Sequence, residues 1–191
     1  MEGGVNSIEL EDSILCLIVA QPEKVHDMNL LVMKNIIKSG CTPLIVTVNK
    51  PQKVLVKMYS KEAIPPESYY VIDAVTQYSG GECPPGPRIK YVSNPANLTD
   101  LGIAITETIK KMPAGKKCIL FDSVSMLLIH MPSATTSKFL HFVVNKLKLE
   151  DIHGIFLSVE KGIDPVVMSQ MSTFVDRVMD FDEVLKNPCM L

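Results

Sequence analysis

Apolar residues in this chain gather into short blocks of two kinds, divided by polar, turn-forming stretches. Ser13 to Ala20 (SILCLIVA), Thr42 to Val48 (TPLIVTV), Tyr69 to Val75 (YYVIDAV), Lys117 to Val124 (KCILFDSV) and Gly154 to Val159 (GIFLSV) are mostly continuous apolar runs of strand length. Such runs predict strands buried on both faces. From His26 to Ser39 the spacing changes: Met28, Leu30, Leu31, Met33, Ile36 and Ile37 fall mainly three or four apart, and Gly40 follows as a stop. That is the signature of an amphipathic helix with a glycine at its end.

The same alternation continues along the chain. Pro51 opens a helix reaching about Ala63, because a missing amide costs nothing in a first turn. Leu98, Leu101, Ile105 and Ile109 share a face in a helix from about Asn97 to Met112, and helices are also predicted over Thr135 to Leu149 and Pro165 to Thr173. Ile89 to Val92 reads as a short strand, and Phe174 to Phe181 (FVDRVMDF) alternates as an edge strand does. Between Tyr78 and Arg88 three prolines and three glycines crowd into a segment that holds no regular structure, a surface loop. Strands alternating with helices at these spacings predict an α/β fold: three layers, α/β/α, around a mainly parallel sheet. With 191 residues, 47% of them hydrophobic, and no linker or repeat, one domain is expected, its core over about residues 13–183.

Charge and composition narrow the function. Nineteen basic against 21 acidic residues, spread along the chain, leave no basic stripe for a phosphate backbone, so nucleic acid is not an expected partner. The first residues are acidic and polar, and no apolar run approaches the roughly 20 residues of a membrane helix. A cytoplasmic protein without a membrane partner is therefore expected. The five cysteines stand singly, without a Cys-x-x-Cys pair, and predict reduced, mostly buried thiols rather than zinc or disulfides. Cys189 stands third from the carboxyl end, one place short of the prenylation pattern.

In a parallel α/β sheet ligands bind at the carboxyl ends of strands, so chemistry is sought at residues 21–27, Asn49-Lys50, Asp122-Ser123 and 158–161. Asp122 stands out, since four apolar residues deliver its carboxylate to the end of a central strand, where it would hold a Mg²⁺ ion through water. Asp122 and Ser123 would serve equally well as caps of the following turn. His130, His141 and His153 lack metal-ligand spacing and read as structural residues, and Ser123 and Ser125 lack the glycine frame of a hydrolase nucleophile. A small-molecule enzyme of another kind has no glycine-rich cofactor turn to support it. The lysines on the helices read as a solvated face.

The run ILFDSVSMLLIHMPSATTSKFLHFVVNKLKLEDIHGIFLSVEKG resembles the Walker B strand, the following helix and the next strand of KaiC-like ATPases, the RecA-superfamily P-loop proteins common in archaea. FVDRVMDFDE resembles their last core strand, and the likeness extends over most of Ser13 to Glu183. It implies a RecA/KaiC-like fold, with ATP and Mg²⁺ as the family's ligands. The family's phosphate loop, G-x-x-x-x-G-K-[ST], would fall where this chain has Ala20, Val25, His26 and Asp27 at the defining positions. A β-branched Val25 resists the backbone conformations that let glycine present successive amides to phosphate. His26 is shorter than lysine, while Asp27 puts a carboxylate where a triphosphate would sit, as if to cap the helix in its place. Where the family's catalytic glutamates follow the second strand, this chain has Asn49-Lys50-Pro51.

The expectation is a non-catalytic KaiC/RecA-like domain that needs no cofactor. It would act in regulation or signal transduction through a protein partner, either itself or an active KaiC-like relative. The alternative is an ATP-binding protein or ATPase with an unconventional phosphate-binding loop. Its candidate residues are Lys24, His26, Asp27, Asn49, Lys50 and Ser158 for the nucleotide and Asp122 for the metal.

Overall fold

The computed structural model describes residues 13–186. The amino-terminal segment and Cys189, on which the expectations about export and lipid attachment rest, lie outside them. Seven strands make one sheet: β1 (Leu15–Ala20), β2 (Thr42–Thr47), β3 (Tyr70–Asp73), β4 (Ile89–Tyr91), β5 (Lys117–Asp122), β6 (His153–Val159) and β7 (Arg177–Asp180). Their order is β4-β3-β2-β5-β6-β1-β7, and every pairing between these strands is parallel. The helices are α1 (Val25–Lys38), α2 (Gln52–Lys61), α3 (Leu98–Lys111), α4 (Val124–His130), α5 (Ser133–Leu149), α6 (Pro165–Phe174) and α7 (Phe181–Lys186).

Alternation along each strand sends neighbouring side chains to opposite faces, and both faces are covered. Leu15, Leu17, Leu44, Val46, Phe121 and Phe156 join a cluster with α3, α4, α5 and α6. Cys16, Ile18, Ile45, Leu120 and Leu157 join one with α1, α2 and α7. Full burial of a Leu or Ile stabilises by about 1.5–3 kcal/mol, so strands enclosed on both sides are selected as the unbroken apolar runs seen in the sequence. Two glycines do specific work. Gly40, with φ of 80°, turns the chain out of α1 into β2. Gly81 sits so close to Thr76 that a Cβ would lie 2.9 Å from its Cγ2.

Three features depart from expectation. The helix α4 was not anticipated, because Val124 to His130 is a short apolar run without a periodicity of its own; Met131-Pro132 then separates it from α5. The third strand stops at Asp73 rather than Val75, since the Asp73 carboxylate takes the amides of Val75 and Thr76 out of the ladder, accepting from Val75 N at 2.8 Å and Thr76 N at 2.8 Å. The final strand is shorter than drawn, with Phe181 already opening α7, but it is an edge strand as expected, paired with β1. Among the described residues no helix is long and apolar enough to cross a membrane. Cys16, Cys41 and Cys118 are buried free thiols, while Cys83 in the loop is only partly covered.

Candidate functional site

Connections leaving β1, β2 and β3 run toward the β4 edge, whereas those after β5 and β6 run the other way. The reversal falls between β2 and β5, where Thr47 is in register with Asp122. Loops diverging from such a pair leave a crevice at the carboxyl ends, the usual ligand position in this architecture.

In this chain protein side chains fill it. Asp122 is fully buried, and both of its oxygens accept from asparagine amides: Oδ2 from Asn29 Nδ2 at 2.9 Å, Oδ1 from Asn49 Nδ2 at 3.3 Å. Asn29, itself fully buried on α1, accepts through Oδ1 from the Tyr59 hydroxyl at 2.7 Å. One relay thus joins α2, α1, β5 and the turn after β2. Burial pushes the Asp122 carboxyl above its ordinary range, and Lys50 and the two amides pull it back in part. The Asp122–Ser123 peptide is cis.

The flanking turns are fastened in the same way. The Thr47 hydroxyl donates to Lys50 O at 2.7 Å and accepts from Lys50 N at 3.0 Å, holding residues 47–50 in a tight turn that points Asn49 at Asp122. Val48 N donates to Asp122 O at 2.8 Å. Asp73, at the end of β3 and also fully buried, accepts Gln52 N at 2.6 Å and so fixes the start of α2. The Ser125 hydroxyl accepts from Val159 N at 3.2 Å and contacts the Ser123 hydroxyl at 3.1 Å.

The sequence candidates are distributed unevenly over this arrangement. Asn49 bonds Asp122, and the Lys50 charge acts on it. Lys24 is engaged elsewhere, its Nζ gripping both Asp182 oxygens at 2.6 and 2.7 Å and tying the start of α1 to α7. His26 and Asp27 are exposed in the first turn of α1. Ser158 is fully buried on the sheet face opposite Asp122, and its Oγ has no hydrogen-bond partner.

Two capping expectations are corrected. Asp27 does not cap α1: the N-cap is Lys24, with no side-chain cap bond, because a 3-10 turn over Pro22–Lys24 runs straight into the helix and leaves Asp27 inside its first turn, past the cap position. Ser123 holds the N-cap position of α4 but makes no side-chain cap bond, its hydroxyl meeting Ser125 instead, and the Asp122 carboxylate points to the asparagines rather than to the turn.

Sequence reasoning missed Asn29, Tyr59, Thr47 and Asp73. Asn29 carried a signal, a polar residue inside the apolar stripe of α1, between Met28 and Val32. Tyr59 carried none, since a tyrosine on the buried side of a helix reads as core.

A model of a family of unknown function, DUF7504, matches residues 39–181. The chain belongs to that family. The matched region holds β2 through β7, with Asn49, Asp73 and Asp122, and begins after Asn29. No curated protein matches. Among solved structures, the chain is similar to the uncharacterized protein PH0321 of Pyrococcus horikoshii, solved in complex with an unknown peptide. The TM-score is 0.69 and the identity 12%, over 88% of this chain and 77% of that one. It is also similar to the KaiC-like protein PH0186 of Pyrococcus horikoshii OT3, with a TM-score of 0.61 and 13% identity over 88% of this chain and 72% of that one. At such identities the likeness concerns the fold, and it establishes the RecA/KaiC-like three-layer architecture.

Proposed function

We propose that this chain is a KaiC/RecA-like domain without ATP hydrolysis that acts as a regulatory, protein-binding module. The observation that carries the reading is the enclosure of Asp122. A carboxylate that holds Mg²⁺ through water needs a wet, open side, and this one is fully buried with an amide on each oxygen.

Its surroundings support the same reading. The connection between β1 and α1 is a 3-10 turn without a glycine, so the backbone offers no nest of successive amides to a phosphate. Lys24 is drawn to Asp182, and the turn after β2 presents Asn49 and Lys50 rather than a carboxylate that would polarise water. A fold retained while its ligand site is filled by protein groups fits a role in binding. The partner is a second copy or an active KaiC-like relative, and the peptide bound to PH0321 is a precedent within the fold for engaging polypeptide.

Calorimetry with Mg-ATP tests the proposal. No saturable heat is expected at millimolar nucleotide, either for the native chain or for Asp122→Ala. Binding in the micromolar range that Asp122→Ala or Lys50→Met abolishes would overturn it in favour of an unconventional ATP and Mg²⁺ site.

A further inference from the structure

Gly102 lies inside α3, where glycine is disfavoured against alanine. The neighbouring helix accounts for it: a Cβ at this position would lie 3.2 Å from Phe142 Cε1 on α5, so a side chain there would crowd the ring that rests against α3. Around this contact an open groove of about 540 Å³ runs between the two helices. Phe139 lies at its floor, and Ile103 and Phe142 form its walls with 50% and 47% of their surfaces exposed. Leu149, 85% exposed, extends the apolar stripe along α5. Large apolar side chains standing together on a helical surface mark an interaction face.

The charges on this face are ordered. All pairings in the sheet are parallel, so α3 and α5 both run from the carboxyl ends of the strands back toward the amino ends. The contact of Gly102 with Phe142 sets their register. Counted from it, Asp100 stands two residues before Gly102 and Lys138 four before Phe142, Glu107 five after and Lys146 four after, and Lys110 and Glu150 both eight after. At about 1.5 Å per residue each of these pairs is level to within about 3 Å, and in each the charges are opposite. Down α3 the order is acid, acid, base; down α5 it is base, base, acid. Within one chain the ion pairs of these groups do not cross the groove: Glu107 pairs with Lys90, and Lys146 with Glu150.

We infer that this face binds a second copy of the chain, the two copies related by a two-fold axis lying along the groove. That rotation keeps the helix direction and lays α3 of one copy over α5 of the other. Ile103 then meets Phe142 of the second copy and Phe142 meets its Ile103, the reciprocal contact of an isologous interface. The same rotation sets the two charge orders on one another, Asp100 against Lys138, Glu107 against Lys146 and Lys110 against Glu150, a polar rim that fixes the register around an apolar centre. Two helices of 14 and 17 residues present a face about 20 Å square, so two copies bury about 800–1,000 Å² in all, the small end of specific interfaces. That area supports a weak, concentration-dependent dimer. The inference rests on the protein-binding reading proposed above and gives it a partner and a surface.

The test is sedimentation velocity of the intact chain across concentrations from micromolar to millimolar. A monomer–dimer equilibrium is expected, with a dissociation constant of roughly 10–100 μM. Ile103→Asp, on the exposed side of α3, should keep the native circular dichroism spectrum and weaken association at least about tenfold. Lys110→Glu and Glu150→Lys should each weaken it by roughly threefold, and the two together should restore it, since the exchanged charges still face one another across the axis. Three results would overturn the inference: a native chain that stays monomeric throughout, which would leave the face to a different partner; Ile103→Asp associating as tightly as the native chain; or a double variant no tighter than its single parents. These outcomes are read apart from the crevice, because Mg-ATP binding at Asp122 is measured by calorimetry and does not depend on the oligomeric state.

Discussion

Asn29 is where the filled crevice is most exposed to experiment. Asn29→Ala removes the donor to a buried carboxylate and the acceptor of the Tyr59 hydroxyl in one step. A hydrogen bond to a charged group contributes about 1.5–3 kcal/mol, and an orphaned buried hydroxyl costs about 1–3 kcal/mol. Tyr59 is fully buried, so water does not restore its partner, and the substitution should destabilise by about 3–5 kcal/mol. Asp122→Ala alone removes a charge that burial opposes but strands the Asn29 amide, for about 1–3 kcal/mol. In the double variant no buried carboxylate is left; the Tyr59 hydroxyl lacks a partner, and the partly exposed Asn49 amide has lost its acceptor just as in Asp122→Ala alone. The combined loss should therefore fall short of the sum by about 2 kcal/mol, within the range found for contacting residues. Urea denaturation of the four proteins at pH 7 measures this. Losses additive within about 0.5 kcal/mol would refute the relay.

The pH dependence gives a second reading of the same variants. The folded Asp122 carboxyl is raised, chiefly by burial, so protonation favours the folded state. Its contribution to stability is complete below the unfolded value near 3.9 and is lost as pH rises through the folded one. Asn29→Ala removes one of the groups that hold the folded value down and pushes it higher. The deficit of Asn29→Ala relative to the native chain should accordingly grow between pH 5 and pH 7, while in the Asp122→Ala background the same substitution should show no such growth.

Two further outcomes follow from packing and from the surface. In Gly154→Ala the new methyl would lie 2.7 Å from Leu147 Cδ1 and 2.8 Å from Leu15 Cδ2, and overpacking of this kind should cost about 1–3 kcal/mol with an unchanged m-value in urea. Lys24→Met should cost less than about 1 kcal/mol, because both partners of its ion pair are more than a third exposed, yet it should speed amide hydrogen exchange in α7, which that pair ties to the start of α1.

The layers of the fold were legible because two periodicities dominate the chain. Leu15 to Ala20 and Lys117 to Asp122 are enclosed on both faces, and near-continuous apolar runs are what such enclosure requires. Where the fold was misread, a local polar contact had overruled the pattern: Asp73 ended its strand early by capturing amides, and Val124 to His130 was too short to display a helical period. Spacing located Asp122 and Asn49 because both lie within a residue or two of a strand end. Asn29 and Tyr59 reach the same point from helices 93 and 63 positions away in the chain, and such meetings are made by tertiary packing, which spacing does not encode.

An aspartate at the end of a central strand is thus not by itself informative about a ligand. A carboxylate delivered to that point must be answered by a cation, by water or by protein donors, since leaving it unanswered under burial is costly. The strand that delivers it looks the same in all three cases. What separates them is the identity of the residues facing it from neighbouring elements. In this chain those residues are two asparagines, one braced by a buried tyrosine and the other by the turn that the Thr47 hydroxyl holds. Asparagine amides supply neutral donors that match a carboxylate without requiring a mobile ion, which makes the crevice self-sufficient.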